Sequence, residues 1–228
     1  MDLDAEAAVR RLAAERGAAT IDDERKRTVQ AAYDSLGPRF GEWGERVEGD
    51  PWKRFLEDLA ARLPEGGCVL DLGCGNGAKI ACLGERFHLV AVDLSEEQLR
   101  LARARVPEAT LVAGDFGELD FAAETFDAVT AFYSIMHVPR EEHRALFARI
   151  ARWLKPGGLF LASLSHVGGA DWTGEWLGVE MFFSGFDAET NRRLLREAGL
   201  ELVLDELVWM REPQGEVAFL WVLARKPA

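Results

Sequence analysis

The sequence has little of what several protein classes require. It holds three cysteines, Cys68, Cys74 and Cys82, an odd number without C-x-x-C spacing. That argues against a disulfide framework or a zinc finger and for a reducing, cytoplasmic setting. Basic residues are in deficit: 27 Lys and Arg against 39 Asp and Glu leave a net charge of −12. A nucleic-acid backbone or an anionic membrane surface demands a basic face, so neither partner is expected. No apolar run approaches the ~20 residues that cross a bilayer. The opening MDLDAEAAVRRLAAERG carries acids and no apolar centre, unlike a secretory signal. The four histidines, His88, His137, His143 and His166, show no H-E-x-x-H or similar ligand spacing, so no metal is expected.

What is present is ordinary globular composition, 48% hydrophobic and 29% charged, in a length that suits one large domain. Residues 1–50 are rich in Ala, Glu, Asp and Arg, with apolar residues at helical spacing, and read as a helical N-terminal cap. Asp50-Pro51 opens a further helix that Leu63-Pro64-Glu65-Gly66-Gly67 stops. From residue 68 the pattern changes. The apolar runs CVLDLG, HLVAVDLS, ATLVAGDF, FDAVTAFYS and GLFLASLS alternate with helical segments over 76–86, 96–105 and 140–154. His143, inside the last of these, is expected to be solvated. After a helix over 188–198, LELVLDELVWM and EVAFLWVLAR flank the turn Glu212-Pro213-Gln214-Gly215 and predict an antiparallel hairpin. Residues 51–228 are therefore predicted to form an α/β domain: a seven-stranded, mostly parallel sheet with helices on both faces and an antiparallel last strand.

Asp71-Leu72-Gly73-Cys74-Gly75-Asn76-Gly77 stands where the first strand ends. Glycines there let a backbone approach a ligand closely, and a helix start offers free N–H groups. Asp93 ends the second strand, 22 positions beyond Asp71, where an acid accepts hydrogen bonds from ribose hydroxyls. Together they describe a nucleoside site at the carboxyl edge of a parallel sheet. The loop is G-x-G-x-G, one residue shorter than the dinucleotide fingerprint, and no G-x-x-x-x-G-K-S/T occurs. A carboxylate at Asp71 repels a pyrophosphate but tolerates a cationic amino-acid moiety.

The ordered series VLDLGCGNG (69–77), VAVDLS (90–95), AGDF (113–116), FDAVTAFYSIMHVP (126–139) and LKPGGLFLAS (154–163) resembles the class I S-adenosylmethionine-dependent methyltransferases of small-molecule type. The resemblance implies a Rossmann-like sheet and S-adenosylmethionine as cofactor. It places Gly73, Gly75 and Gly77 against the methionine part, Asp71 near the amino group and Asp93 on the ribose. Leu94 and Phe116 fall at adenine contacts, or in ordinary core; Asp115 accepts from the adenine amine, or serves as a turn acid. Phe132 flanks the methionine, and Tyr33 matches an aromatic over the cofactor. Ser95 reads as a helix N-cap within Ser95-Glu96-Glu97-Gln98.

Methyl transfer from a sulfonium needs alignment, exclusion of water and, for weak nucleophiles, a base. His137, in Ser134-Ile135-Met136-His137-Val138-Pro139, sits on the expected rim and reads as that base or as a loop-shaping histidine; Tyr133 is the alternative proton carrier. Residues 166–186 hold glycines and aromatics and read as a flexible apolar lid. In it Trp172, Trp176, Met181, Phe182, Phe183 and His166 are the expected contacts to a small, apolar or aromatic acceptor. The rival reading is a non-catalytic cofactor-binding module that senses or scaffolds. A monomer or a homodimer is compatible with either.

Overall fold

The computed structural model describes residues 21–228, so the first part of the expected N-terminal cap lies outside the described residues. Two helices open it, α1 (Glu24–Leu36) and α2 (Pro38–Gly44), followed by α3 (Trp52–Arg62). Asp23 caps α1 by accepting from the Arg25 amide, and Pro38 supplies the preset φ at the first position of α2. Then come β1 (Cys68–Leu72), β2 (His88–Asp93), α4 (Glu96–Arg105), β3 (Thr110–Ala113), β4 (Phe126–Ala131), α5 (Arg140–Trp153) and β5 (Leu154–Leu164). A separate hairpin, β6 (Trp172–Trp176) and β7 (Val179–Phe183), precedes α6 (Ala188–Glu197), β8 (Glu201–Glu212) and β9 (Gly215–Arg225).

The main sheet runs β3-β2-β1-β4-β5-β9-β8, parallel except that β9 enters antiparallel between β5 and β8. The expected seven-stranded sheet with an antiparallel last strand is what forms. Its central strands are apolar throughout because helices cover both faces; all five residues of β1 are buried. On one face α5 and α6 set Phe147, Trp153 and Leu195 against the sheet. On the other α3 and α4 set Phe55, Leu59 and Leu99 against it. Strand order reverses between β1 and β4, and at such a switch point the carboxyl ends of the strands leave a crevice. Among the described residues no helix is long and apolar enough to cross a membrane.

Two expectations are corrected. The segment 76–86 is not an α-helix. It forms turns and a single 3-10 turn, Ala81–Leu83, in which Leu83 N–H bonds to the Ile80 carbonyl and Gly84 N–H to the Ala81 carbonyl. Gly77 and Gly84 bracket the stretch, and glycine within a helix is destabilising by about 0.5–1 kcal/mol relative to alanine. The segment 166–186 is not a flexible loop either. Leu177 and Gly178 both adopt positive φ, 52° and 79°, the turn geometry whose twist matches a two-stranded hairpin. The hairpin packs on α1, where Met181 and Phe182 are buried with Val29 and Ala32.

Candidate active site

The carboxyl ends of β1, β2 and β4 bring the glycine loop, Asp93 and the segment 132–134 together. The amides of Gly73 and Cys74 both donate to the Val92 carbonyl, at 2.8 and 3.0 Å, which folds the loop over the end of β2. A Cβ on Gly73 would lie 2.3 Å from Ser134 Cβ, and one on Gly77 3.2 Å from Val106, so these two glycines serve close packing. Gly75 differs. At φ +52° its Cβ direction meets only ordinary contacts, Phe40 at 3.7 Å and Gln98 Oε1 at 4.0 Å. Gln98 is fully buried, and its Oε1 has no hydrogen-bond partner.

Asp93 is buried and accepts from Gly75 N–H at 2.7 Å and Ser95 N–H at 2.9 Å. Burial outweighs these donors and pushes its carboxyl up to about 6. Asp71 accepts from the Thr130 hydroxyl at 2.5 Å. Burial pushes it up to about 7; the Thr130 bond opposes this, Asp93 adds to it and Lys79 opposes it. A raised acid stabilises the fold below its unfolded pKa and loses that contribution as pH rises through the folded one. The free protein is therefore expected to melt higher at pH 6.5 than at pH 8. Further acidification brings no comparable gain, because His137 and His143, both lowered by burial, oppose it. Thermal melts of wild type and Asp71→Asn check this; an unflattened slope in the variant would clear Asp71 of the effect.

The N-terminal segment crosses all of these groups. Lys26 Nζ lies 2.6 Å from both Asp115 Oδ2 and Glu142 Oε2. Gln30 donates to the Leu94 carbonyl at 2.9 Å, and the Ser95 hydroxyl to Asp34 at 2.5 Å. Gln98 Nε2 donates to the Gly37 carbonyl at 3.1 Å, and its backbone N–H to the Ser95 hydroxyl, the N-cap the sequence predicts. Asp50 accepts from the Tyr133 hydroxyl and pairs with Lys79, each at 2.6 Å. Lys26, Gln98, Asp50 and Lys79 are absent from the sequence-predicted set. Lys26 alone had a usable signal: it shares a stripe with Val29, Tyr33 and Leu36, the side of α1 that faces inward. The carboxylates of Asp115, Glu118 and Glu142 lie within 4.8 Å of one another, and Lys26 supplies positive charge there.

His137 is buried, with Nδ1 2.8 Å from the Phe182 carbonyl and Nε2 2.9 Å from the Tyr33 hydroxyl. The carbonyl fixes the Nδ1–H tautomer, so Nε2 accepts from Tyr33. Burial holds the ring at about 4, well below the usual histidine range. Both nitrogens are thus engaged, and the arrangement supplies an anchor for Tyr33 rather than a free base. Tyr133 adopts φ +56°, a strained conformation for a bulky residue, with its amide on the Ser163 hydroxyl at 2.8 Å. Burial and Asp50 keep its phenol protonated. Phe132 packs on Trp221, Phe116 joins the core and Leu94 is half-buried beside Tyr33.

The hairpin residues divide. Trp176 is half-buried and closes an aromatic group with Tyr33, Phe40 and Trp43, ring centroids 5.0 to 6.5 Å apart. Phe183 packs on Trp176 and on His137. Met181 and Phe182 do not face an acceptor space; their side chains fasten β7 to α1. Trp172 is 49% exposed and stacks on Phe183. His166 sits beside Trp209, bonded to the Ala218 carbonyl, because β5 carries it toward β9. His143 is buried rather than solvated, bonded to the Val138 carbonyl.

A family model described as a methyltransferase domain matches residues 69–158, the stretch that holds the loop, Asp93, Asp115 and the post-β4 segment. Over this stretch the chain carries a methyltransferase domain. A demethylmenaquinone methyltransferase of Renibacterium salmoninarum is 31% identical over 149 residues, 63% of this chain and 62% of that protein. A ubiquinone biosynthesis O-methyltransferase of Xanthomonas axonopodis is 40% identical over 123 residues, 49% of each. The chain thus spans less than two thirds of the length of either relative. In fold it is similar to the Burkholderia thailandensis 1,6-didemethyltoxoflavin-N1-methyltransferase solved with S-adenosylhomocysteine: TM-score 0.70, 24% identity, 92% of this chain and 93% of that one.

Proposed function

We propose that this protein transfers a methyl group from S-adenosylmethionine to a small, apolar or aromatic molecule. The observation that carries the reading is the Gly75 corner: an unfilled Cβ direction, a buried and unpartnered Gln98 Oε1, and two buried carboxylates, Asp71 and Asp93, with Lys79 as the cation acting on Asp71. That acceptor set suits a ligand with hydroxyls to give and positive charge to place. In this reading Asp93 holds the ribose, Asp115 the adenine amine and Asp71 the ammonium, and the cofactor contributes an activated methyl on a sulfonium. The chain's own work is to align and to keep water out. Within the expected cap of residues 1–50, the described residues 21–50 form one part of the cover and the 166–186 hairpin the other, over a domain of residues 51–228. His137 fixes the Tyr33 hydroxyl at the edge of the cofactor space.

Titration calorimetry with S-adenosylhomocysteine tests this, together with release of that product across a panel of small acceptors. Asp93→Ala removes a charged acceptor worth about 1.5–3 kcal/mol, so affinity is expected to fall tenfold to a hundredfold. Unchanged affinity in a folded variant would take Asp93 out of the site. Binding without turnover on any acceptor would favour the non-catalytic module.

A further inference from the structure

Beyond the cofactor corner, one carboxylate faces the acceptor side without a partner. Glu212 ends β8, two residues after Met210 and hence on the same strand face. Met210 Sδ lies 3.5 Å from the Tyr133 hydroxyl, which places that face toward Tyr133. The position is held from both sides. Arg211 exchanges two backbone hydrogen bonds of 2.9 Å with Glu48, and Gln214 accepts from the Trp43 indole at 3.0 Å. Glu212 is half-buried, and its carboxylate makes no hydrogen bond or ion pair among the described residues. The nearby cation, Lys79, is committed to Asp50 at 2.6 Å. Burial and Asp50 raise the Glu212 carboxyl, and its charge reaches the phenols of both Tyr33 and Tyr133. Beside it stand the half-buried rings of Tyr33, Phe40, Trp43 and Trp176.

We propose that Glu212 binds the proton-bearing nitrogen of the acceptor, and that the acceptor is an amine seated against these aromatic rings. Two independent features point to a cation: aromatic faces attract an ammonium, and an unpaired half-buried carboxylate at their edge completes the recognition. An alcohol or a phenol gains nothing from the rings' quadrupole and less from the charge. Glu212 also receives the proton. An N–H bond of the ammonium breaks, the proton forms an O–H bond with the carboxylate, and nitrogen keeps the electron pair that alkylation consumes. A half-buried, partnerless carboxylate is the group on this rim suited to that exchange, since both His137 nitrogens are already bonded.

The inference rests on the cofactor reading, and the experiment separates the two. S-adenosylhomocysteine binding is measured first by calorimetry; no binding in wild type would take both readings down. With that ligand saturating, benzylamine and benzyl alcohol are titrated at pH 7.5, followed by tryptophan fluorescence and calorimetry. Benzylamine is expected to bind about tenfold or more tightly than the alcohol, the factor a charge-assisted hydrogen bond supplies. Glu212→Gln should erase the preference without changing S-adenosylhomocysteine affinity. Glu206→Gln, an exposed residue of the same strand, should keep it. Equal affinities in wild type, or a preference that survives Glu212→Gln, would overturn the proposal with the cofactor reading intact.

Discussion

Gly75→Val is expected to abolish S-adenosylhomocysteine binding while leaving a folded protein. The Gly75 amide donates to Asp93 at 2.7 Å, and valine keeps that amide, so the loop's main anchor survives. The new Cβ meets Phe40 at 3.7 Å and Gln98 Oε1 at 4.0 Å, which is tolerable contact. The two γ-methyls then extend into the space a ligand must share with the backbone. A β-branched residue at φ +52° adds strain of roughly 1–3 kcal/mol, which lowers the melting temperature without unfolding the domain. Gly73→Ala gives the contrasting result. Its Cβ would stand 2.3 Å from Ser134 Cβ at the junction of β1 and β4, so stability falls first and binding follows. Thermal melts paired with calorimetry distinguish the two. A Gly75→Val protein that binds as tightly as wild type would make the loop a purely structural turn.

How much of this was legible in the sequence depends on how local the cause is. Apolar runs such as CVLDLG and FDAVTAF are buried on both faces because crossover helices cover them, and that pattern is written in consecutive residues. Ser95 announces itself as a cap because its partner, the Gln98 amide, is three residues away. The 3-10 turn at Ala81–Leu83 was not legible, since helical spacing there competes with the glycines at 77 and 84. His137 shows the same limit at the site. Its neighbours on the chain suggest an open rim, but its two bonds come from Tyr33 and Phe182, 104 and 45 positions away. Asp50 carries no motif, and Lys26 only its place in the inward stripe of α1; their importance follows from α1 and the segment after α2 crossing the sheet's carboxyl edge. A residue that reaches the site through tertiary contact alone, as Asp50 does, leaves no spacing for a sequence to reveal.

Lys26→Met is expected to cost about 3–5 kcal/mol, the range for stripping one partner from a buried ion pair. The side chain is 4% exposed and lies 2.6 Å from Asp115, 10% exposed, and from Glu142, 25% exposed. Methionine fills the volume of the lysine stem, so packing against Val29 is retained and the effect isolates charge. What is left is a group of carboxylates facing one another with their cation gone. For a domain of this size that corresponds to a fall of roughly 6–20 °C in melting temperature. Glu142→Gln added to Lys26→Met removes one of the stranded charges and should recover part of the loss, whereas two unrelated sites would simply add. The damage also has a place. Because Lys26 fastens the first turns of α1, amide exchange should accelerate over residues 24–36 before the central sheet loosens. A variant that melts within 2 °C of wild type, with exchange in α1 unaltered, would mean that water replaces the ammonium at no cost. The helix would then be held over the site by Gln30, Tyr33, Asp34 and its apolar stripe.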